Sequence, residues 1–133
     1  MDLEYNISII TLILALIQVE SSGVDSAIGD NGASWGCLQM QAAYVQDAAE
    51  HANENWTHKD ALNRDKAISI FTAYMDRYAT EKRLGRKPTA QDIARIHNGG
   101  PNGHLKVATE KYWVKVKAQL ISSGAINATA KNK

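Results

Sequence analysis

The chain has 133 residues, enough for one domain with a real hydrophobic core. It is 44% hydrophobic and 22% charged, the balance of ordinary soluble globular material. A formal net charge of +1 supplies no global field to attract nucleic acid. A single cysteine, Cys37, excludes an intramolecular disulfide framework. Cys37 has no basic neighbour in sequence and reads as a small packing residue.

The first element is an apolar run, Ile7 to Val19. It resembles a signal-peptide core, but Asp2 and Glu4 stand where a positive segment should lie, and no small-x-small cleavage site precedes Glu20. The run is too short to span a bilayer. It is read as a central, buried helix, with Ile10, Ile13, Leu14 and Ile17 on one face and Leu12, Leu16 and Val19 widening it. Ser21-Ser22-Gly23 stops it, with Gly23 as the left-handed cap. Residues 24–38 form a loop rich in Gly, Ser, Asp and Asn.

Gln41 to Asn53 has alanines and Val45 at helical spacing. Thr57 to Ala79 reads as one further helix, with Ala67, Ile70, Phe71, Tyr74, Met75 and Tyr78 as its inner stripe. Gly85 to Pro88 is a break. Thr89 and Asp92 form a capping signal that starts a short helix through Ile93 and Ile96. His97 to Gly103 is a loop with three glycines, and Tyr112, Trp113, Val116 and Leu120 mark a last amphipathic helix. Ser122 to Lys133 reads as a frayed tail. Two basic groups, Lys82, Arg83, Arg86, Lys87 and Lys106, Lys111, Lys115, Lys117, read as solvated helix faces. No alternating strand pattern, repeat or linker is visible. The expectation is one mainly α domain.

The greasiest segment ends on a carboxylate, Glu20. The negative end of a helix dipole and apolar neighbours both favour its protonated form, which suits a general acid. Asp30 sits in the polar loop, where water and backbone N–H groups favour its anion. One acid and one anion are what glycoside cleavage needs. Two acids ten residues apart are a weak signal alone; placement at the end of a buried helix strengthens it.

The stretches "QVESSG", "GDNGASWGCLQMQAAYVQDA", "AYMDRYA", "ARIHNGGPNG" and "KYWVKV", in that order, resemble the invertebrate-type (destabilase) lysozymes. These are grouped with goose-type lysozymes and soluble lytic transglycosylases. The resemblance runs from about Ala15 to Val116. It implies a lysozyme-like domain over residues 1–121, five to six helices around a central buried helix with a substrate cleft, and a flexible tail over 122–133. It implies cleavage of the β-1,4 bond between N-acetylmuramate and N-acetylglucosamine. Glu20 matches the family's catalytic acid and Asp30 its second carboxylate. Gly36 and Gln39 match a stretch beside the cleft, and Tyr44 a neighbouring aromatic. Asn98, Gly99 and Gly100 match the loop that walls the sugar groove, and Tyr112 the aromatic that opens the last helix.

The residue types fit these places. Asn98 offers a donor and an acceptor to an acetamido group. Gly99 and Gly100 let backbone approach a ligand. Trp35 and Tyr44 present rings that can stack on pyranose faces. Each also has a purely structural reading: Gln39 as a loop tie, Tyr44 and Tyr112 as core, Trp35 as packing, His97 as a hydrogen-bonded structural histidine at the groove. No metal and no cofactor are expected, because His51/His58 and His97/His104 lack ligand spacing. Animal members of the family carry many disulfides; here Trp35 and His104 stand at aligned half-cystine positions, which suggests a bacterial or viral branch. The expected partner is the peptidoglycan glycan strand, met by a monomer at the bacterial cell wall, with neither nucleic acid nor membrane insertion. Two other readings stay open: a lytic transglycosylase using Glu20 alone, and a non-catalytic sugar-binding or virion structural module.

Overall fold

A computed structural model describes residues 7–127. Among them are six α-helices, four 3₁₀ turns and one small hairpin. The chain divides into two compact units: Met1–Val19 with Ala79–Lys133, and Glu20–Tyr78. No helix among the described residues is long and apolar enough to cross a membrane.

The first unit contains most of α1 (Ile9–Ser21), then α4 (Glu81–Leu84), α5 (Ala90–Gly99) and α6 (Glu110–Ser122). Ser8 opens α1 by accepting the Thr11 N–H on its hydroxyl at 3.2 Å. The buried side of α1 is Leu12, Ile13, Ala15, Leu16 and Ile17. Ile10 and Leu14 point outward instead, 55% and 54% exposed. When nearly every position is apolar, periodicity no longer selects a face, and the stripe Ile10–Leu14–Gln18 at spacing four becomes the outer one.

Helix α4 lies in the basic stretch. Thr80 caps it by accepting the Arg83 N–H, and Gly85 ends it at φ 79°. Helix α5 begins with the expected reciprocal box: Thr89 Oγ1 accepts the Asp92 N–H at 3.1 Å, and the Asp92 carboxylate accepts the Thr89 N–H at 2.9 Å. It runs past Ile96 to Gly99, so His97 and Asn98 are helical rather than loop. Helix α6 buries Tyr112, Trp113, Val116 and Leu120, the four expected. Helix α6 ends at Ser122, and the chain beyond it makes further contacts. The Ala125 N–H bonds to the Leu120 carbonyl at 2.9 Å, and Ile126 is buried. The rest of the expected tail, 128–133, lies outside the described residues, as do Asp2 and Glu4.

The second unit holds the end of α1, the antiparallel pair β1 (Ile28–Gly29) and β2 (Ser34–Trp35), α2 (Ala42–Ala52) and α3 (Arg64–Tyr78). The strands are too short to show alternation, which hid them in sequence. The expected helix over 57–79 is two elements. Thr57 and Asp60 form a capping box that starts a 3₁₀ turn at His58–Leu62. Asn63 then leaves helical geometry at φ −101°, ψ 126°, and its side chain accepts the Lys66 N–H at 3.0 Å to begin α3. Helices α2 and α3 pack on each other, burying Val45, Ala48 and Ala49 on one and Ala67, Ile70, Phe71, Tyr74 and Met75 on the other. Arg77 donates to Asp47 at 2.6 Å, and the Tyr78 hydroxyl donates to the same carboxylate at 2.8 Å.

The net charge of +1 conceals an imbalance between the units. Residues 20–78 hold nine acidic and four basic side chains, whereas the other unit holds five acidic and eleven basic ones.

Candidate active site

Glu20 is the penultimate residue of α1 and is half-buried. Just beyond it, Ser22 at φ 54° and Gly23 at φ 85° turn the chain sharply. Two contacts hold this exit. The Ser21 hydroxyl donates to the Cys37 carbonyl at 2.8 Å. Arg64 donates to the Gly23 carbonyl at 2.6 Å and to Asp25 at 2.8 Å. Tyr44 lies close enough to feel Glu20: burial, then Tyr74, then the Glu20 charge push its phenol well above the ordinary value. Tyr44 therefore keeps its proton as a donor. Its ring stacks on Tyr74 at 3.8 Å between centroids, with 8° between planes.

Asp30 begins the 3₁₀ turn Asp30–Gly32 that joins β1 to β2. Asp30 and Asn31 sit at φ 51° and 56°, a left-handed backbone that Asp and Asn tolerate better than most residues. The buried Ser34 donates its hydroxyl to Asp30 Oδ2 at 2.6 Å. This short bond orients the carboxylate from across the hairpin. This side-chain donor is not one that the sequence singles out beside water and backbone N–H groups.

The remaining groups of this loop are occupied in holding it. Gln39 Nε2 donates to the carbonyls of Ala27 and Gly36 at 3.1 and 3.0 Å, so its amide serves as a loop tie. Trp35 Nε1 donates to the Gly32 carbonyl at 2.7 Å, and its indole stacks on His58. Gly36 is required twice over: φ is 87°, and a Cβ there would lie 1.8 Å from the Ala61 carbonyl oxygen. Cys37 is fully buried, as its packing role requires. Burial pushes its thiol up against the opposing charge of Arg64.

The other expected residues belong to the first unit. His97 is buried in the last turn of α5, Asn98 is exposed, and Gly99 and Gly100 are half-buried, with Gly100 at φ 90°. Tyr112 is buried near the start of α6. The loop after α5 is held by cations. Arg83 donates to the Pro101 carbonyl and to Asn102. Lys106 Nζ donates to the Gly99 carbonyl at 2.7 Å. Arg95 donates to Thr109, Gln91 and the Lys106 carbonyl at 2.8, 3.0 and 2.7 Å. Arg86 pairs with Asp92. Arg83, Arg86 and Lys106 are therefore not the merely solvated groups that their sequence setting suggested.

Asp92 and His104 feel this arrangement in opposite ways. Burial raises the Asp92 carboxyl, but hydrogen bonds from Arg86 and Thr89 outweigh it and hold the group below the ordinary carboxylate range. Burial lowers the His104 imidazole; Asp92 opposes this, while Arg83, Arg86 and Arg95 add to it. His104 Nδ1 is buried without a hydrogen-bond partner.

Solved lysozyme structures are similar to this chain. The Tapes japonica lysozyme superposes with a TM-score of 0.67 at 26% identity, over 80% of this chain and 86% of that one. The inhibitor-bound lysozyme of Meretrix lusoria gives 0.67 at 30% identity, over 81% and 87%. The fold is a lysozyme fold. The destabilase family pattern matches residues 12–119, and the chain belongs to the destabilase family. Lysozyme 1 of Crassostrea virginica is 37% identical over 89 residues, 67% of this chain and 46% of that protein, so the match spans about half of that relative.

Proposed function

We propose that this protein is a lysozyme that hydrolyses the β-1,4 bond between N-acetylmuramic acid and N-acetylglucosamine in peptidoglycan. Glu20 is the general acid and Asp30 the nucleophile or electrostatic stabiliser. The observation that carries this reading is the support given to Asp30. A left-handed turn, a hairpin and a buried serine hydroxyl 2.6 Å away all serve to aim one loop carboxylate. Preorganised charge of this kind stabilises a transition state without reorganisation at the moment of reaction.

Glu20 gives its proton to the glycosidic oxygen as the bond to the anomeric carbon breaks. Positive charge grows on that carbon and is met by the Asp30 anion. The Glu20 carboxylate then takes a proton from the incoming water, returning to its starting form. A half-buried place at the end of an apolar helix supports the acid role. Within residues 20–78, Gln39, Trp35 and Tyr44 are proposed as sugar contacts; within the other unit, Asn98 and the backbone of Gly99 and Gly100 are proposed to meet acetamido groups, with His97 and Tyr112 as further contacts.

The test is Glu20→Gln, assayed by clearance of cell-wall suspensions and by mass spectrometry of released muropeptides. The variant keeps its fold and loses on the order of 3–5 kcal/mol of transition-state stabilisation. Near-normal clearance would refute the assignment. Wild-type products with a free reducing end support hydrolysis, and 1,6-anhydro products, lighter by one water, would replace it with lytic transglycosylation.

A further inference from the structure

His58 meets the Asp30 loop at two points. Its imidazole stacks on the Trp35 indole, with centroids 3.8 Å apart and planes 6° apart. Its Nε2 lies 2.8 Å from the Met40 carbonyl oxygen. That oxygen also accepts the Trp35 N–H at 3.0 Å, and the Met40 N–H returns a bond to the Trp35 carbonyl at 2.9 Å. A carbonyl can accept twice, so the imidazole N–H and the backbone N–H share one acceptor. The proton of the ring is assigned to Nε2 by that partner.

Trp35 passes the constraint onward. Its Nε1–H bonds to the Gly32 carbonyl at 2.7 Å, and Gly32 closes the turn that begins with Asp30. His58 is itself anchored as the first residue of its 3₁₀ turn. The Asp60 carboxylate accepts the Thr57 N–H at 2.8 Å and receives Lys66 at 3.2 Å. The close approach of Gly36 to the Ala61 carbonyl presses the loop onto the same turn. A contiguous path therefore runs from His58 through an indole to the turn that carries Asp30.

We propose that His58 is a positioning residue for the Asp30 carboxylate. Stacked on Trp35 and bonded to Met40, it fixes the turn from which Asp30 is presented. This rests on Asp30 being the second carboxylate of the reaction. The two contacts are separable by substitution: Phe keeps the stack and drops the Met40 bond, Gln keeps a donor and drops the stack, and Ala drops both.

The experiment measures kcat and KM on a defined peptidoglycan oligomer for the wild type, His58→Ala, His58→Phe, His58→Gln, Asp30→Asn and the Asp30→Asn/His58→Ala double variant. Hydrogen exchange is followed over residues 28–40. An ångström of misplacement can cost up to roughly 100-fold, and His58→Ala is expected to lower kcat about tenfold with KM nearly unchanged. Exchange over 28–40 rises, and the Phe and Gln variants fall between. In the Asp30→Asn background, removing His58 changes kcat less than about twofold, because the group it aims is gone. Equal losses in both backgrounds would overturn the proposal, as would wild-type kcat in the His58 variants. If His58→Ala does not fold, the Phe and Gln variants decide. An impaired Asp30→Asn with unimpaired His58 variants sinks the His58 role alone. A wild-type kcat in Asp30→Asn sinks the second-carboxylate reading and this proposal with it.

Discussion

The two units each hold one long loop, by different chemistry. In residues 20–78, net acidic, the Asp30 loop is fixed by stacked rings, a serine hydroxyl, a glutamine amide and one glycine pressed against backbone. In the net basic unit, the loop after α5 is fixed by guanidinium and ammonium groups donating into backbone carbonyls. Neither loop is closed by a disulfide. The lesson is that loop order can be bought by shape in one place and by charge in another. The first kind fails on loss of fit, and the second on loss of hydrogen bonds or a change of protonation.

That contrast can be broken most severely at Gly36. Gly36→Ala adds a methyl group into the Ala61 carbonyl at a left-handed position. Strain and overlap together should cost roughly 2–5 kcal/mol. Chemical denaturation would measure it, and activity should fall with it. Gly85→Ala, also at positive φ but with open space around the site, should cost less and isolate the overlap.

Arg95→Ala tests the charged counterpart. It removes donors from Thr109, Gln91 and the Lys106 carbonyl, for about 2 kcal/mol, and it should raise exchange at the amides of residues 103–109. An unchanged stability would mean that the backbone holds this loop without the guanidinium. Thr89→Ala is milder. Loss of the α5 cap should cost about 1 kcal/mol by thermal melting.

The smallest effect is a pH dependence in the basic unit. The folded state disfavours His104 protonation, whereas the unfolded chain takes up that proton near pH 6.5. Below this value the unfolded chain binds more protons, so stability declines with acid. Asp92 has a depressed carboxyl, so its contribution is present above about pH 4 and is lost as pH falls through its lower folded value. Melting temperatures from pH 7.5 to 5.5 should fall less in His104→Gln than in the wild type. Equal slopes would remove His104 as the cause.

Much of this architecture is legible from residue order alone. The Thr89/Asp92 box, the inner stripe of α3 and the four buried residues of α6 follow from local chemistry and period. The outward face of α1 does not, because an all-apolar helix has no pattern to read. The break at Asn63 is missed for a related reason: a side-chain cap can outcompete a continuous helical stripe. Of the proposed site, Glu20 and Asp30 are suggested by position and resemblance alone. Ser34, His58, Arg64 and Arg95 could not be picked out, since their roles depend on partners 4, 18, 41 and 14 residues away. Only the Asp30–Ser34 spacing offered a local hint, visible once a tight hairpin is assumed.

Cys37 gives the molecule a timer of its own opening. The thiol is wholly enclosed, and enclosure holds it in the less reactive protonated form. Alkylating reagents can reach it only when the packing around Cys37 opens. As this is the sole cysteine in the chain, every labelled molecule records one such event. The labelling rate across a denaturant series would then distinguish local opening around Cys37 from global unfolding.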